Sequence, residues 1–492
     1  MLSLILICIL SLLFVFLLFK LDRKTHLPPG PKPLPLIGNI HQLPRSSFLA
    51  LLQKWHRTYG PIVSIQIGTQ VVVFLGSHHV AHEIIGKQGA WFSSRPKLPF
   101  MDRMMRGPLP ISLPYGEEWK NYRRFQHSIL NIQTIKSYRA AQDLESKQVL
   151  WEMLASDDFE KALARYAYSL GSTLNYGQRI ADQDATEIKD AHELFHELIA
   201  ELFSTNLLFD SIPSIGPYLN WMAGRKNAGG KVASGVHNLI TEYINNAIAN
   251  GAQQNWAQKM LHEASLHSRD HARVCVESFE MYIGASLTTQ TSLWIFVLAA
   301  LLHPDAVLVV QEELDSVIGQ GRCPSFEDMP NLPHLNSFVK EVLRWRPILP
   351  TGIPYYSTKD SEYEGYRIPK GSIVVASQSA INMDEAMFDE PELFKGDRYM
   401  KNPDLPEPAS FGYGRRACPG QHLARESLFL VISRLLWAYN IVPHPEDGTL
   451  NIDTVRSKTG FIFFWPYPFR ARFQVRSPDH QAIIERDFLC KS

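Results

Sequence analysis

The sequence Phe411-Gly412-Tyr413-Gly414-Arg415-Arg416-Ala417-Cys418-Pro419-Gly420 decides how the rest of the chain is interpreted. It places one cysteine, Cys418, among glycines and arginines, directly before an apolar segment that predicts a helix over residues 421–439. No second cysteine or histidine lies at zinc-finger spacing from it. A single thiolate on a metal implies a cofactor that supplies the remaining ligands, and haem does so with its ring nitrogens. The alternative is that Cys418 is a buried structural cysteine.

Five residues of this segment match the pattern Phe-x-x-Gly-x-Arg-x-Cys-x-Gly, which resembles the haem-binding loop of the cytochrome P450 family: Phe411, Gly414, Arg416, Cys418 and Gly420. The resemblance implies that Cys418 is the axial ligand of the iron in haem b, iron protoporphyrin IX. It also implies that Arg416 meets a haem propionate and that the glycines allow backbone shapes that a Cβ would block. Backbone N–H groups at the start of the next helix would point at the sulfur and lower the pKa of the thiol.

The composition limits what kind of protein this chain can be. It has 492 residues, of which 45% are hydrophobic, and its 49 basic and 49 acidic side chains give a net charge that argues against nucleic acid as the main partner. No Gly/Ser linker, low-complexity tract or repeat marks a boundary, which predicts one large domain after an N-terminal segment. The five cysteines are few and irregularly spaced, which favours a reducing compartment over a disulfide framework.

The N-terminal segment predicts a membrane anchor. Residues 2–19 form an uncharged run of 18 residues, just long enough to span a bilayer. Lys20, Arg23 and Lys24 follow it, and positive charge on that side places the rest of the chain in the cytosol. We expect a single-pass anchor over residues 1–26 and a catalytic domain over 27–492 with a proline hinge at 28–35, and the resemblance implies the endoplasmic reticulum membrane. A cleaved signal peptide is the alternative, but a basic n-region and a small-residue cleavage site are missing.

A second apolar run, residues 281–302, carries no charge and has the length of a membrane span. Its polar side chains, among them Ser286 and Thr288, favour a buried central helix instead, because such groups need partners or a cavity. Most other segments have helical periodicity, with a short hairpin over residues 62–74. The predicted fold class is therefore mainly α with small β-sheets. The resemblance implies the cytochrome P450 fold, a triangular α-helical prism around a buried haem, behind an N-terminal membrane anchor.

Glu341 and Arg344 lie three residues apart on a helix predicted between Pro333 and Pro347. The spacing alone predicts only a local ion pair, which on a surface is usually worth less than about 0.5 kcal/mol. It also matches the Glu-x-x-Arg element of the cytochrome P450 family, in which the pair joins a further arginine under the haem loop. The resemblance makes Arg398 that partner and gives the three residues a structural role, although the residues around Arg398 depart from the usual Pro-Glu-Arg-Phe.

Trp119 and Arg123 are four residues apart, which places them on one face of a predicted helix. The spacing is weak evidence by itself. Its setting resembles the Trp-x-x-x-Arg element of the family, which implies that both side chains reach a haem propionate. Lys120 and Arg124 on the same helix are candidates for docking an acidic electron-donor protein, and a solvated helix face explains them equally well.

The central helix departs from the family pattern at one position. The family has Ala/Gly-Gly-x-Asp/Glu-Thr-Thr/Ser there, and this chain has Gly284-Ala285-Ser286-Leu287-Thr288-Thr289. Thr288 matches the threonine whose hydroxyl takes part in proton delivery to oxygen, so it is a predicted catalytic residue together with Cys418. Leu287 stands where the family has the acid that usually carries the protons. Three interpretations are open. The change is neutral; protons arrive through Thr288, Ser286, Thr289 and ordered water, or through a substrate group; or the reaction needs fewer protons to be relayed.

Two segments are candidates for the walls of a substrate pocket. The resemblance places Ile353 on the substrate side of the haem, and Phe461 begins an aromatic run near the C-terminus. Both suggest an apolar or aromatic small substrate, although an ordinary core strand explains them nearly as well. Residues 207–222 are apolar and broken by prolines, so they could touch the bilayer, gate the pocket or pack in the core. Related fungal sequences often have Pro-His-Arg near Tyr355 and Tyr356, which leaves one propionate contact unassigned.

The resemblance implies monooxygenation, with electrons from NADPH through NADPH–cytochrome P450 reductase and with cytochrome b5 as a further candidate partner. The sequence Trp345-Arg346-Pro347, its spacing to Phe411 and the anchor resemble microsomal cytochromes P450 of secondary metabolism in filamentous fungi. Desaturation, oxidative coupling or rearrangement would use the same haem without net oxygen insertion, and Leu287 motivates this alternative. A non-enzymatic haem-binding sensor or scaffold is the third hypothesis, and it would leave the thiolate loop and Thr288 without a purpose.

Overall fold

The structure is a computed structural model of the chain. It describes residues 26–44, 48–99, 102, 105, 107–203, 228–249, 255–266, 270–446, 463–464 and 468–489. The predicted anchor, except for its last residue, lies outside the described residues. The same is true of the apolar segment 207–222 and of the candidate pocket residue Phe461.

Helices account for most of the described chain, which confirms the mainly α prediction. Their bounds are α1 Phe48–Tyr59, α2 His78–Ala81, α3 Gly89–Phe92, α4 Glu117–Leu130, α5 Ile132–Ile135, α6 Arg139–Ala155, α7 Phe159–Tyr176, α8 Thr186–Phe203, α9 Ala228–Ala249, α10 Trp256–Leu266, α11 His271–Leu302, α12 Pro304–Val317, α13 Pro333–Trp345, α14 Gln378–Asn382, α15 Arg398–Lys401, α16 Gln421–Ala438 and α17 Pro478–Leu489. A π-helical segment, His82–Lys87, continues α2.

The strands of the described chain form three small sheets. Their bounds are β1 Ile62–Ile67, β2 Gln70–Leu75, β3 Tyr355–Tyr356, β4 Ser361–Tyr363, β5 Tyr366–Ile368, β6 Ile373–Ala376, β7 Tyr439–Pro443 and β8 Ala471–Val475. The first sheet has the order β1-β2-β6-β3, in which β2 and β6 are parallel and the other pairs are antiparallel. The pairs β4–β5 and β7–β8 are antiparallel hairpin-like sheets. The hairpin predicted over residues 62–74 is confirmed, with Ile62 opposite Leu75.

The central helix α11 passes through the core. It has 32 residues and begins after Asp270, whose carboxylate accepts a hydrogen bond from the Ala272 N–H at 3.2 Å. By length and composition it could cross a membrane, but 83% of its most apolar window is buried by the rest of the protein. This agrees with the predicted buried helix. The helix begins at His271, and its first turns contain charged residues such as Arg273 and Glu277. The uncharged run alone therefore does not indicate where the helix starts.

The helix α16 follows the cysteine directly and confirms the prediction for residues 421–439 to within one residue. Gly420 is its N-cap, and the chain leaves α16 at Tyr439 to enter β7. The six apolar side chains that the 3.6-residue period predicted to be buried are all buried: Leu423, Leu428, Leu430, Val431, Leu435 and Trp437. They belong to the largest apolar cluster, which also contains side chains of α11 and α13. The core therefore fixes both helices relative to the cysteine.

A buried ion cluster joins α13 to the segment that ends at α15. The Glu341 carboxylate accepts two hydrogen bonds from Arg344, each 2.7 Å long, and two from Arg398 Nε, at 3.0 Å and 3.1 Å. Glu341 and Arg344 are fully buried, and Arg398 is 4% exposed. The structure thus brings the three predicted residues together. It places the Glu341–Arg344 pair in the interior, where its energetics differ from those of the surface pair that the spacing alone predicted.

The ion cluster is connected to the cysteine loop, which we define as residues 411–420. Arg344 donates to the carbonyls of Asn382 at 2.8 Å and of Pro391 at 2.7 Å. Asn382 returns a hydrogen bond to the Arg344 carbonyl, and its Oδ1 accepts the Ala409 N–H at 2.9 Å. Ala409 begins the 3-10 turn that leads into the cysteine loop. A displacement of Arg344 would therefore be transmitted to the loop.

Replacement of Glu341 tests this connection. We expect Glu341→Ala to leave two buried guanidinium groups without a carboxylate, which costs about 3–5 kcal/mol for a broken buried pair. The variant should yield little soluble, haem-loaded protein, measured as the haem-to-protein ratio after purification. The control is Lys340→Ala, which removes an exposed ion pair with Glu407 (2.6 Å) and should behave as the wild type. Soluble Glu341→Ala protein with a full haem content would contradict the proposed role.

Candidate functional site

A cavity of about 300 Å³ lies between the central helix α11 and the cysteine loop. Residues of α4, the first half of α16 and the segment around Ile353 complete its walls. The predicted site residues that line it are Trp119, Arg123, Thr288, Ile353, Phe411, Arg416, Cys418 and Gly420. Gly414 does not line the cavity, and Phe461 lies outside the described residues.

The glycines of the cysteine loop have two different uses. Gly412 and Gly414 have φ angles of +71° and +60°, which disfavour residues with a Cβ. A Cβ on Gly414 would also lie 2.6 Å from the carbonyl oxygen of Ile85, so this glycine permits contact with the π-helical segment outside the cavity. The loop is closed by a hydrogen bond from the Cys418 N–H to the Phe411 carbonyl at 2.8 Å. These constraints fix where Cys418 enters the cavity.

The Cys418 thiol is not part of a cluster of candidate metal ligands among the described residues. Burial raises its pKa, although a hydrogen bond from the Gly420 N–H and the positive charge of Arg123 act in the opposite direction. The expected lowering by the helix N-terminus is therefore present but weaker than the effect of burial. A bound metal cation would reverse this balance, because a coordinating thiol is deprotonated outright. Within the described ranges, no group of three or more His, Cys, Asp or Glu side chains could hold a metal ion.

Three arginines line the cavity without a carboxylate partner. Arg95 donates to the carbonyls of Ile353 at 2.8 Å and Pro354 at 2.7 Å. Arg123 donates to Ala417 at 2.6 Å, and Arg416 donates to Ser93 at 2.7 Å and to Leu113 at 2.5 Å. Within the described part of the chain, their hydrogen bonds go to backbone carbonyls alone. The three cations therefore form no ion pair among the described residues, and Glu280 is the one carboxylate beside them on the cavity wall.

Burial makes the charged form of the three arginines less favourable. Burial lowers the pKa of Arg95 and of Arg123. Burial, together with the positive charge of Arg95, lowers the pKa of Arg416 to about 9. A dianionic group in the cavity would supply the missing charge and bidentate acceptors for guanidinium groups. Arg95 was missed in the sequence, where the available signal was an arginine within Ser93-Ser94-Arg95-Pro96.

Trp119 helps to hold Arg416 at the cavity wall. Its ring lies 4.3 Å from the Arg416 guanidinium carbon, which is cation–π geometry. The tryptophan is 8% exposed, and its indole N–H has no hydrogen-bond partner among the described residues. The indole N–H is a candidate donor to an anion in the cavity. Lys120 and Arg124, on the same helix, pair locally with Glu117 and Asn121.

The central helix presents a polar stripe to the cavity. Thr288 lines it and donates its hydroxyl hydrogen to the Gly284 carbonyl at 2.7 Å. Gly284 also lines it, and a Cβ there would meet no protein atom within 4 Å. Leu287 is 1% exposed and packs in a separate apolar cluster instead of the cavity wall. The side chain at position 287 therefore does not reach the space beside Thr288.

The segment after α13 supplies the apolar part of the wall. Ile348, Leu349 and Ile353 line the cavity. Tyr355 is buried beside it, donates its hydroxyl to the Tyr413 carbonyl at 3.1 Å, and lies under Arg95 at 4.7 Å. The tyrosine thus supports Arg95, which is a candidate for the propionate contact that the sequence left unassigned.

These residues fit a haem group. Its iron would bind the Cys418 sulfur, and its two propionates would bind the arginines and the Trp119 N–H. Its flat ring would use the space beside Gly284 and Gly420, where an added Cβ would have no protein atom closer than 4.0 Å. One thiol and three guanidinium groups on the wall of one cavity suit a cofactor that brings its own nitrogen ligands and carboxylates.

Comparison with known proteins agrees with this geometry. The sequence profile of the cytochrome P450 family matches residues 28–462. The cytochrome P450 monooxygenase aneD of Aspergillus aculeatus is 37% identical over 482 residues, which cover 95% of this chain and 92% of that protein. Fumitremorgin C synthase of Aspergillus fumigatus is 34% identical over 515 residues, which cover 98% of this chain and 95% of that protein. The cytochrome P450 monooxygenase peniB of Penicillium patulum is 35% identical over 479 residues.

This chain therefore belongs to the cytochrome P450 family. The predicted resemblance to fungal members is confirmed, and the enzyme class is that of the cytochrome P450 monooxygenases, which are oxidoreductases. The hypothesis of a non-enzymatic haem-binding protein is accordingly set aside. The mainly α fold with small sheets is the cytochrome P450 fold, and haem with a thiolate ligand is the cofactor of that family.

Arg95 gives a test of the cavity's charge. We expect Arg95→Leu to weaken haem retention, because a charge-assisted hydrogen bond is worth about 1.5–3 kcal/mol and three backbone carbonyls also lose their donor. The measurement is the rate of haem transfer from the purified protein to an acceptor apoprotein. The control is Arg124→Leu, which removes an exposed arginine of α4 and should leave that rate unchanged. Equal transfer rates for Arg95→Leu and the wild type would show that Arg95 does not hold the cofactor.

Proposed function

We propose that this protein is a haem-thiolate monooxygenase that inserts one oxygen atom from O₂ into an apolar or aromatic small molecule. The observation that carries the proposal is that the Cys418 thiol and the Thr288 hydroxyl line one cavity. When bound, the haem supplies the redox chemistry that activates oxygen. The residues of the chain bind this cofactor, position the substrate and supply protons.

Cofactor binding is the task of the cysteine loop and the three arginines. Cys418 is the ligand for iron, and the Gly420 N–H stabilises its negative charge. Arg95, Arg123 and Arg416 hold the propionates, and the hydrogen bonds that each makes to backbone carbonyls orient the guanidinium groups in advance.

Proton delivery is the task of the central helix. Thr288 gives its own hydrogen to the Gly284 carbonyl, so its oxygen can accept a hydrogen bond from water in the cavity. Thr289 and Ser292 line the same wall and also bond to carbonyls one turn earlier, at 2.8 Å and 2.9 Å. We infer that ordered water along these oxygens carries the protons, because Leu287 is directed elsewhere.

The setting of the reaction is also a proposal. We infer an anchor over residues 1–26, a proline hinge at 28–35 and a cytosolic catalytic domain over 27–492, on a single pass through the endoplasmic reticulum membrane. Electrons would come from NADPH through NADPH–cytochrome P450 reductase, with cytochrome b5 as a further donor. Lys120 and Arg124 are candidates for the docking face. The names of the fungal relatives, among them fumitremorgin C synthase, support a place in secondary metabolism.

A second candidate function is desaturation, oxidative coupling or rearrangement at the same haem. What motivates it is that Leu287 replaces the acid of the family pattern, which leaves proton delivery to hydroxyl groups and water. The two functions differ in what happens to the oxygen atom. Turnover under isotopically labelled O₂ puts the label into the product of a monooxygenase, and products without the label would assign the second function.

The thiolate ligand can be tested by absorption spectroscopy. We expect the purified protein, reduced and exposed to carbon monoxide, to show the strongly red-shifted Soret band of a thiolate-bound iron–CO adduct. Cys418→Ala should bind little haem and show neither that band nor reductase-dependent NADPH consumption. Cys275→Ala is the control, because that cysteine is buried in a different cluster and does not line the cavity. A wild-type protein that never shows the band would refute the proposal.

Thr288 can be tested through coupling of electrons to product. We expect Thr288→Ala to bind haem and substrate normally but to form less product per NADPH, by about 10²-fold or more in the ratio if its oxygen positions the proton donor. The lost electrons should appear as hydrogen peroxide. Thr288→Ser keeps the hydroxyl and should restore most of the coupling. Unchanged coupling in Thr288→Ala would remove this residue from the mechanism.

A further inference from the structure

We propose that Glu280 recognises a protonated nitrogen of the substrate, so that the enzyme selects apolar molecules that carry a basic amine. The inference rests on the proposed function, because it names the substrate class of that same cavity. Glu280 has no role in the cofactor binding or in the proton delivery described above.

Glu280 lies on the cavity wall next to the proposed reaction site. It is on α11 and lines the same cavity as Gly284 and Thr288, which follow it at intervals of four residues and share its helix face. At a rise of about 1.5 Å per residue, Glu280 and Thr288 are separated by about 12 Å along the helix. One small molecule of that length can contact both residues.

The Glu280 carboxylate has an oxygen left for a ligand. Its Oε2 accepts the Ile111 N–H at 2.7 Å, and the described residues give it no other hydrogen bond and no cation within ion-pair distance. Arg273, which lies on the same helix, pairs with Glu118 at 3.0 Å and with Glu277 at 3.4 Å instead. Glu280 thus lines the cavity with one carboxylate oxygen that has no hydrogen-bond partner among the described residues.

The charge balance around Glu280 favours a cationic ligand. Burial raises the pKa of Glu280 to about 7, and the positive charges of Arg273 and Arg416 limit the increase. Arg416 is one of the groups assigned to the haem propionates, whose negative charge would cancel its effect. Once those arginines are paired with the propionates, the Glu280 carboxylate would lack a counterion, and an ammonium group supplies one together with a hydrogen-bond donor.

Hydroxyl groups further along the same helix also present hydrogen-bond acceptors to the cavity. Thr288, Thr289 and Ser292 each donate their hydrogen to a carbonyl one turn earlier, so they offer oxygen lone pairs to the cavity. This wall of the cavity therefore presents acceptors. A ligand that brings a donor satisfies it better than a ligand that brings only a carbonyl.

A structural role for Glu280 makes a different prediction. The bond to Ile111 fixes the 3-10 turn Pro110–Ser112 against the central helix, and this could be its whole purpose. Glu280→Gln separates the two roles, because the amide oxygen can still accept the Ile111 N–H while the negative charge is lost. The matched control is Glu118→Gln, which removes a charge from the same Arg273 network at an exposed position outside the cavity.

The test uses haem-loaded protein and two probes of the same shape. They are dimethyl(phenylbutyl)amine, which is protonated at neutral pH, and the neutral ketone in which an acetyl group replaces the dimethylamino group. Binding is measured by equilibrium dialysis. The direction of the Soret shift then shows whether the probe only displaces water from the iron or itself coordinates the iron. The carbon monoxide spectrum of each sample verifies the thiolate-bound haem.

We expect the wild type and Glu118→Gln to bind the amine about tenfold or more tightly than the ketone, as for a close charge pair. Glu280→Gln should bind the two probes within about twofold of each other. Equal affinities in the wild type, an undiminished amine preference in Glu280→Gln, or a red shift that marks nitrogen coordination to iron would overturn the inference. The wild-type comparison decides it even if Glu280→Gln does not fold. Failure of the thiolate spectrum would instead overturn the proposed function.

Discussion

The Glu341 carboxylate, buried between two guanidinium groups, is the contact on which the position of the cysteine loop depends. A buried ion cluster of this kind is weak evidence for stability, because desolvation offsets much of the attraction. Its effect here is on geometry. Every donor of Arg344 is used on Glu341 or on a backbone carbonyl, so α13 and the chain around Asn382 can meet in one arrangement. The loop that carries Cys418 follows from that arrangement.

The two faces of the central helix lie in different environments. One face carries Glu280, Gly284 and Thr288 into the cavity, and the other carries Leu287 into an apolar cluster. The departure of Leu287 from the family pattern therefore does not place an apolar group beside the cofactor. It removes a carboxylate from a position behind the helix, while another carboxylate, Glu280, stands on the cavity side two turns earlier.

The parts of the fold that could be predicted from the sequence depend on local periodicity or on contiguous motifs. The helix α16 and the apolar face of α13 follow from the 3.6-residue period, and the cysteine loop follows from ten adjacent residues. Arg95 could not be found in this way, because its acceptors lie 16, 258 and 259 residues away. Glu280 lies directly before the uncharged run 281–302, so the local pattern does not assign it to a cavity. The anchor remains a prediction.

Three guanidinium groups share one cavity and have backbone carbonyls as their hydrogen-bond acceptors. Their buried charge affects the cellular abundance of the enzyme. A ligand that binds only the folded chain stabilises it by mass action, and here that ligand also neutralises buried charge. Newly made polypeptide is then expected to survive proteolytic turnover in proportion to the porphyrin and iron available. Under iron starvation the abundance of the enzyme should fall at constant transcript level.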